Sequence, residues 1–148
     1  MEITQAVLSD AKDILLLQKL AFQQEAERYA DYDIPPLRQT IDDLEAQFST
    51  HVILKAVKEG KIVGTVRAYE KDGTCYIGRL AVHPDLQNRG IGTTLMREIE
   101  RRFAPKRYEL FVGAKSDNNI HLYAKLGYAV FRSGGDCCGD VETLYMEK

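Results

Sequence analysis

The order of apolar patterns in this 148-residue chain predicts an α/β (α+β) fold, with a mixed, mainly antiparallel central sheet and helices on both faces. Three observations carry that expectation. Two stretches with helical spacing come first. Three β-rich runs follow, separated by Glu59-Gly60 and Asp72-Gly73. The remainder reads strand, loop, helix, strand, helix, strand, strand.

After a short apolar start at Ile3 and Val7, Ser9-Asp10 offers an N-cap and a first-turn acid. Ile14, Leu17 and Ala21, with Leu20 and Phe22, then recur at helical spacing to about Tyr29. The Asp31 to Pro36 stretch breaks the pattern with two prolines. Leu37, Ile41, Leu44 and Phe48 resume it, predicting a second helix that ends near Thr50. Val52-Ile53-Leu54, Ile62-Val63 with Val66, and Tyr76-Ile77 with Leu80-Ala81-Val82 read as three strands of an antiparallel meander, because Asp-Gly is a strong tight-hairpin signal and Glu-Gly a weaker one. Ile91, Leu95, Met96, Ile99 and Phe103 fall on one arc of a helix that ends before Pro105. Tyr108 to Val112 is a strand, Asn118 to Leu126 a helix stopped by Gly127, and Tyr128 to Phe131 and Val141 to Met146 are the last two strands. No linker or repeat divides the pattern, so one domain spanning 1–148 is expected.

With 45% hydrophobic residues, the chain is long enough to bury roughly 70% of the surface it exposes unfolded. Its net charge of −2 and scattered Lys and Arg argue against a dedicated nucleic-acid binder, which needs a basic face. The longest aliphatic run, Ile14 to Leu17, is far too short to cross a bilayer, and Met1-Glu2 opens no basic leader. A soluble, cytoplasmic protein without membrane association is therefore expected. Cys75, Cys137 and Cys138 lack zinc-site spacing, so no metal is expected and the thiols are read as reduced. Cys137-Cys138 falls in a glycine-rich turn, read as a plain loop in preference to a redox sensor.

Gln87-Asn88-Arg89-Gly90-Ile91-Gly92-Thr93 lies between a strand-like run ending at Val82 and a helix-like run. Gly90 and Gly92 have no side chain to hold a ligand off the backbone, so amide N–H groups can converge on a diphosphate at the positive end of the following helix, with Arg89 as a mobile cation beside them. A dinucleotide fold would instead place its glycines after the first strand of a parallel β-α-β unit, and a phosphate-binding P-loop requires a Gly-Lys-Ser/Thr ending that Gly90-Ile91-Gly92-Thr93 lacks.

Leu80-Ala81-Val82-His83-Pro84 running into Gln87-x-x-Gly90-x-Gly92, followed by Leu122-Tyr123-x-Lys125-x-Gly127-Tyr128, resembles the GNAT superfamily of acyl-CoA-dependent N-acyltransferases across essentially the whole chain. The resemblance implies acetyl-CoA as co-substrate. Its diphosphate would lie on the Gln87 to Thr93 amides and its pantetheine arm along Leu80-Ala81-Val82, in a gap where that strand splays from Tyr108 to Val112. Tyr123 matches the residue that in many members contacts the thioester sulfur. An asparagine common seven residues earlier is Ser116 here, and Asn119, one turn before Tyr123, partly replaces it.

The chemistry can also be read from the residues. An amine attacking a thioester must be neutral, and it needs a donor for the carbonyl oxygen and stabilisation of the departing thiolate. A backbone N–H near Val82 would serve the oxygen and Tyr123 the sulfur. A phenol is a weaker acid than a thiol, so a hydrogen bond is more defensible than proton transfer; the competing reading is a tyrosine that only packs a helix on the sheet. No acid lies within Thr74 to Val82. Glu25 and Glu109 are the candidate bases, each read first as a solvated surface carboxylate, and His83 is read as a turn residue. Glu25, Tyr29 and Tyr32, with neighbouring Glu27, Asp31, Asp33 and Pro35-Pro36, form an acid and aromatic segment suited to a cationic amine, small or peptidic. The leading expectation is an N-acetyltransferase acting by direct transfer in a ternary complex, since neither motif holds a cysteine to carry the acyl group. A non-catalytic CoA-binding module and a plain interaction domain are the alternatives, and the sequence permits a homodimer.

Overall fold

In the computed structural model, which describes residues 1–134 and 142–148, seven strands form one sheet in the order β1-β2-β3-β4-β5-β7-β6. The strands are β1 Glu2–Gln5, β2 Val52–Lys58, β3 Lys61–Lys71, β4 Thr74–Val82, β5 Arg107–Gly113, β6 Ala129–Gly134 and β7 Thr143–Glu147. The helices are α1 Ala11–Tyr29, α2 Pro35–Arg38, α3 Ile41–Gln47, α4 Ile91–Arg101 and α5 Asp117–Lys125. Every strand pair is antiparallel except β4–β5.

The meander β2-β3-β4 forms as the sequence predicts. Lys58 pairs with Lys61 and Lys71 with Thr74, leaving two-residue loops. Both residues of each loop have positive φ: Glu59 53° and Gly60 77°, Asp72 51° and Gly73 83°. That conformation matches the twist of the flanking strands.

Side-chain alternation along the strands divides the core between the two faces. Leu54, Val66, Ala68, Cys75 and Ile77 pack with Ile91, Leu95, Met96 and Ile99 of α4 on one face. Ile53 packs with Ile14 and Leu15 of α1 and Leu44 of α3 on the other.

Three elements differ from the sequence reading. The first residues form a short edge strand, β1, paired to β2, where the sequence showed only an apolar start. Ser9, read as the N-cap, lies inside a 3-10 turn, and Asp10, read as the first-turn acid, holds the N-cap position of α1 without a side-chain cap; its carboxylate accepts from Val7 N at 2.9 Å and from Lys55 Nζ at 2.8 Å, closing the turn that precedes the helix. The second predicted helix is two short ones. Thr40 breaks it because its hydroxyl accepts from Asp43 N at 3.2 Å, making Thr40 the N-cap of α3, while Gln39 is extended at ψ 134°. Cys137 and Cys138, with the start of the last predicted strand at Val141, lie outside the described residues.

Candidate active site

β4 and β5 run parallel but pair only at Thr74 with Arg107, Cys75 with Tyr108 and Tyr76 with Glu109, and beyond Tyr76 the strands part. The parting begins just before a bulge. Thr65 faces Ala81 and Arg67 faces Gly78, so Arg79 and Leu80 oppose the single residue Val66, and Arg79 is left-handed at φ 54°. A bulge bends its strand and increases the local twist. His83 N donates to Val63 O at 2.8 Å, toward β3. Backbone directions alternate along a strand, so Val82 N–H points the opposite way, toward the gap. Val82 O points with it and accepts from Gln87 Nε2 at 3.3 Å.

Two cavities open on this gap. One, of about 160 Å³, is walled by Leu80, Ala81 and Val82 of β4, by Gln87, Asn88, Gly90, Ile91, Gly92 and Thr93, and by Asn119 of α5. At its floor α4 begins without a side-chain cap: Gly90, at φ 85°, occupies the N-cap position, and the first bond of the helix runs from Thr94 N to Gly90 O at 3.0 Å. The N–H groups of residues 91–93 are thus the orphan donors of the helix start. Among the described residues no atom beyond its chain neighbours lies within 4 Å of where a Cβ on Gly90 would sit, so the space above the loop is open to an anion. Gly92 serves differently, since its missing Cβ would meet Leu122 Cδ2 at 3.3 Å and its absence lets α4 and α5 approach. Arg89 is exposed and is not part of this wall.

The second cavity, of about 290 Å³, fills the space between the parted strands on the α1 face. It shares Phe22, Glu25, Leu80 and Asn119 with the first, which makes the two contiguous. Tyr123 lines it, 7% exposed, with its ring edge-on to Tyr128 at 6.2 Å. Burial first, and the charge of Glu25 second, push the Tyr123 phenol well above its ordinary value.

Ser116 lines neither cavity. It is buried, and its hydroxyl donates to Glu25 Oε2. Glu25 is therefore not a solvated surface carboxylate: its side chain is 17% exposed, Oε2 also lies 3.6 Å from Arg28, and Oε1 is buried without a hydrogen-bond partner among the described residues. Glu109 departs from that reading too, half-buried and paired with Arg107 at 2.9 Å. Tyr29 lines the second cavity, its hydroxyl accepting from Lys115 N at 2.6 Å. Tyr32 lines neither cavity and is exposed, as are Glu27 and Asp33, so the two ends of the acid and aromatic segment, Glu25 with Tyr29 and Pro35-Pro36, reach the gap and its middle does not. His83 is a turn residue, its Nδ1 accepting from Asp85 N at 3.1 Å.

Sequence reasoning missed the wall opposite Glu25. Arg67 and Tyr69 of β3, Tyr76, Gly78 and Arg79 of β4, Phe111 of β5 and His51 all line the second cavity. One signal was present: Arg67 is a cation inside the apolar run from Ile62 to Ala68. Its guanidinium is buried and donates to Gln18 Oε1 at 3.0 Å and Gln39 Oε1 at 2.8 Å. Gln18 Nε2 donates in turn to Gln39 Oε1 and to Pro36 O, each at 2.9 Å. This network holds the α2–α3 break against the sheet. Burial lowers the Arg67 pKa to about 9, helped by the positive charge of Arg79, which leaves it charged at neutral pH.

Residues 13–128 match the model of the Acetyltransferase (GNAT) family, which is most of the chain. The chain belongs to that family. Among solved structures it is similar to the PaiA N-acetyltransferase of Thermoplasma acidophilum in complex with coenzyme A, at 17% identity and TM-score 0.82, over 99% of this chain and 97% of that one. It is also similar to the ribosomal-protein-S18-alanine N-acetyltransferase of Escherichia coli, at 17% identity and TM-score 0.72, over 99% and 91%. Among curated proteins it is 29% identical over 120 residues to the UPF0157 protein YqkA of Bacillus subtilis (strain 168). That match takes in 80% of this chain and only 34% of the relative's length. No helix among the described residues is long and apolar enough to cross a membrane.

Proposed function

We propose that the GNAT unit, residues 1–148, is an N-acetyltransferase that moves the acetyl group of acetyl-CoA to a primary amine by direct attack in a ternary complex. The observation that carries this reading is the contiguity of two cavities at the parted strands. One is floored by orphan helix-start amides and the other is walled by a buried tyrosine and a half-buried carboxylate.

Acetyl-CoA as co-substrate supplies an acetyl group activated as a thioester. Amides of residues 91–93, with the loop from Gln87, hold its diphosphate, and Leu80, Ala81 and Val82 hold the arm in the gap. Val82 N–H donates to the carbonyl oxygen as charge builds there. The amine nitrogen bonds to the carbonyl carbon, the carbon–sulfur bond breaks and sulfur leaves as thiolate. Tyr123 donates a hydrogen bond to that thiolate without giving up its proton, because burial has made the phenol a still weaker acid than usual. The proton lost by the amine passes to Glu25, whose side chain lines both cavities, whose Oε1 has no hydrogen-bond partner among the described residues and whose Oε2 is fixed by Ser116. Ser116 is thus a positioning residue, and Asn119 lies where the two cavities join.

Titration calorimetry with acetyl-CoA followed by a thiol-release screen over amines tests the proposal. Micromolar binding with amine-dependent thiol release is expected. Binding without thiol release from any amine would identify a CoA-binding module instead.

A further inference from the structure

Resting on the acetyltransferase reading, we infer that the amine acceptor carries a carboxylate, and that Arg67 is the residue that receives it: the substrate class is a small amino carboxylate.

Arg67 is a buried cation in the wall of the acceptor cavity, 4% exposed, with neutral glutamine oxygens as its hydrogen-bond partners. No carboxylate among the described residues lies within ion-pair distance of it. A buried guanidinium without a counter-ion is costly to fold around, and removing its last charged partner from such a group is what usually destabilises. The charge is therefore placed where an incoming anion gains most from it. Arg79 adds positive charge on the same side, close enough to be felt at Arg67.

Access comes from Gly78. It sits directly opposite Arg67 in the β3–β4 register, so the two residues present the same face of the sheet. Among the described residues no atom beyond its chain neighbours lies within 4 Å of where a Cβ on Gly78 would be, and its φ is not positive, so the backbone there does not require glycine. The missing side chain leaves open space between the parted strands and the guanidinium. Tyr69, Tyr76 and Phe111 wall that space with rings, and the guanidinium itself is buried, where its attraction to a carboxylate is stronger than in open water.

The amine end lies at the opposite wall. Glu25 Oε1, without a hydrogen-bond partner among the described residues, is an acceptor for an N–H donor beside Tyr123. A cavity of about 290 Å³ with an acid at one side and a cation at the other fits a molecule bearing an amine and a carboxylate. A polyamine or aminoglycoside would set a second ammonium against the buried Arg67, and like charges repel.

The test uses the protein with saturating acetyl-CoA and measures thiol release from matched acceptors: L-amino acids and ω-amino acids, their carboxamides, and spermidine. The acids are expected to give a kcat/KM at least tenfold above their carboxamides, with spermidine at background. Arg67→Gln should erase that preference by raising KM for the acid while leaving the Kd for acetyl-CoA within threefold of the parent. Because Arg67 also braces Gln18 and Gln39, Gly78→Val is the second variant. It fills the approach to the guanidinium with a strand-favouring residue and should cost the acids their advantage with the melting temperature kept. Carboxamides or spermidine turned over as well as the acids would overturn the inference and leave the acetyltransferase standing. The same holds if the preference for acids survives in either variant. Acetyl-CoA binding with no thiol release from any of these amines or a wider panel would overturn the acetyltransferase and the inference with it.

Discussion

The two cavities are built from different material. The one beneath α4 is made of backbone: orphan N–H groups of residues 91–93, a left-handed Gly90 and the edge of β4. The one between β4 and β5 is made of side chains from α1, α2, β3, β4, β5 and α5, held by a buried network of Arg67, Gln18 and Gln39. Backbone recognition requires a local conformation and tolerates most neighbours. Side-chain recognition requires that residues far apart in the chain meet. A ligand common to a whole family suits the first, and an acceptor that varies from member to member suits the second.

The largest break in this comparison is expected where the cavities meet. Tyr123→Phe keeps the ring and removes the hydroxyl, and single-turnover rates with a working amine should fall ten- to a thousandfold, about 1.4 to 4 kcal/mol, with acetyl-CoA affinity nearly unchanged. Since burial raises the phenol pKa, the parent should show no loss of rate through tyrosine ionisation at or below pH 10, its ordinary value. An unchanged single-turnover rate would return Tyr123 to packing alone.

Gly90→Asp attacks the backbone side. It puts a carboxylate into the open space over the helix start and strains a position at φ 85°, so acetyl-CoA affinity should weaken at least tenfold, about 1.4 kcal/mol, in calorimetry on the folded variant. Binding within threefold of the parent would show that the diphosphate lies elsewhere.

Glu25→Gln sharpens the side-chain half. Loss of the proton acceptor should lower the single-turnover rate about tenfold near neutral pH, and the deficit should shrink as pH rises, because more of the amine is already neutral. A deficit that stays constant with pH would leave Glu25 as a structural partner of Ser116. The smallest effect is expected for Arg89→Ala: the side chain is exposed and outside the cavity wall, so acetyl-CoA affinity should drop by less than threefold in low salt and by less still in high salt.

Legibility in the sequence follows the same division. The meander, both hairpins, α1, α4 and the loop from Gln87 to Thr93 could be read because each depends on residues within one turn or one hairpin. Asp72-Gly73 specifies its turn by backbone conformation alone, and Gly90 its helix start. Tyr32 was read as a neighbour of the acceptor because it follows Glu25 and Tyr29 closely in sequence. The chain turns at Ala30, left-handed at φ 50°, and carries Tyr32 away from the gap. Ser116 was read, from the resemblance alone, in place of a cofactor-site asparagine, but it binds α1, a contact spanning ninety-one positions that no spacing announces.

By itself, then, the sequence determined the order of elements apart from β1 and the α2–α3 break, the hairpin turns and the glycine loop that starts α4, all products of short-range periodicity and backbone preference. Tertiary structure alone decided that β4 and β5 part beyond Tyr76, that Glu25 is half-buried with one oxygen unpaired among the described residues, and that Arg67 looks across Gly78 into the same cavity as Tyr123. The physical reason is that burial and electrostatic environment are properties of what surrounds a side chain, and for these residues the surroundings come from other elements of the sheet and its helices.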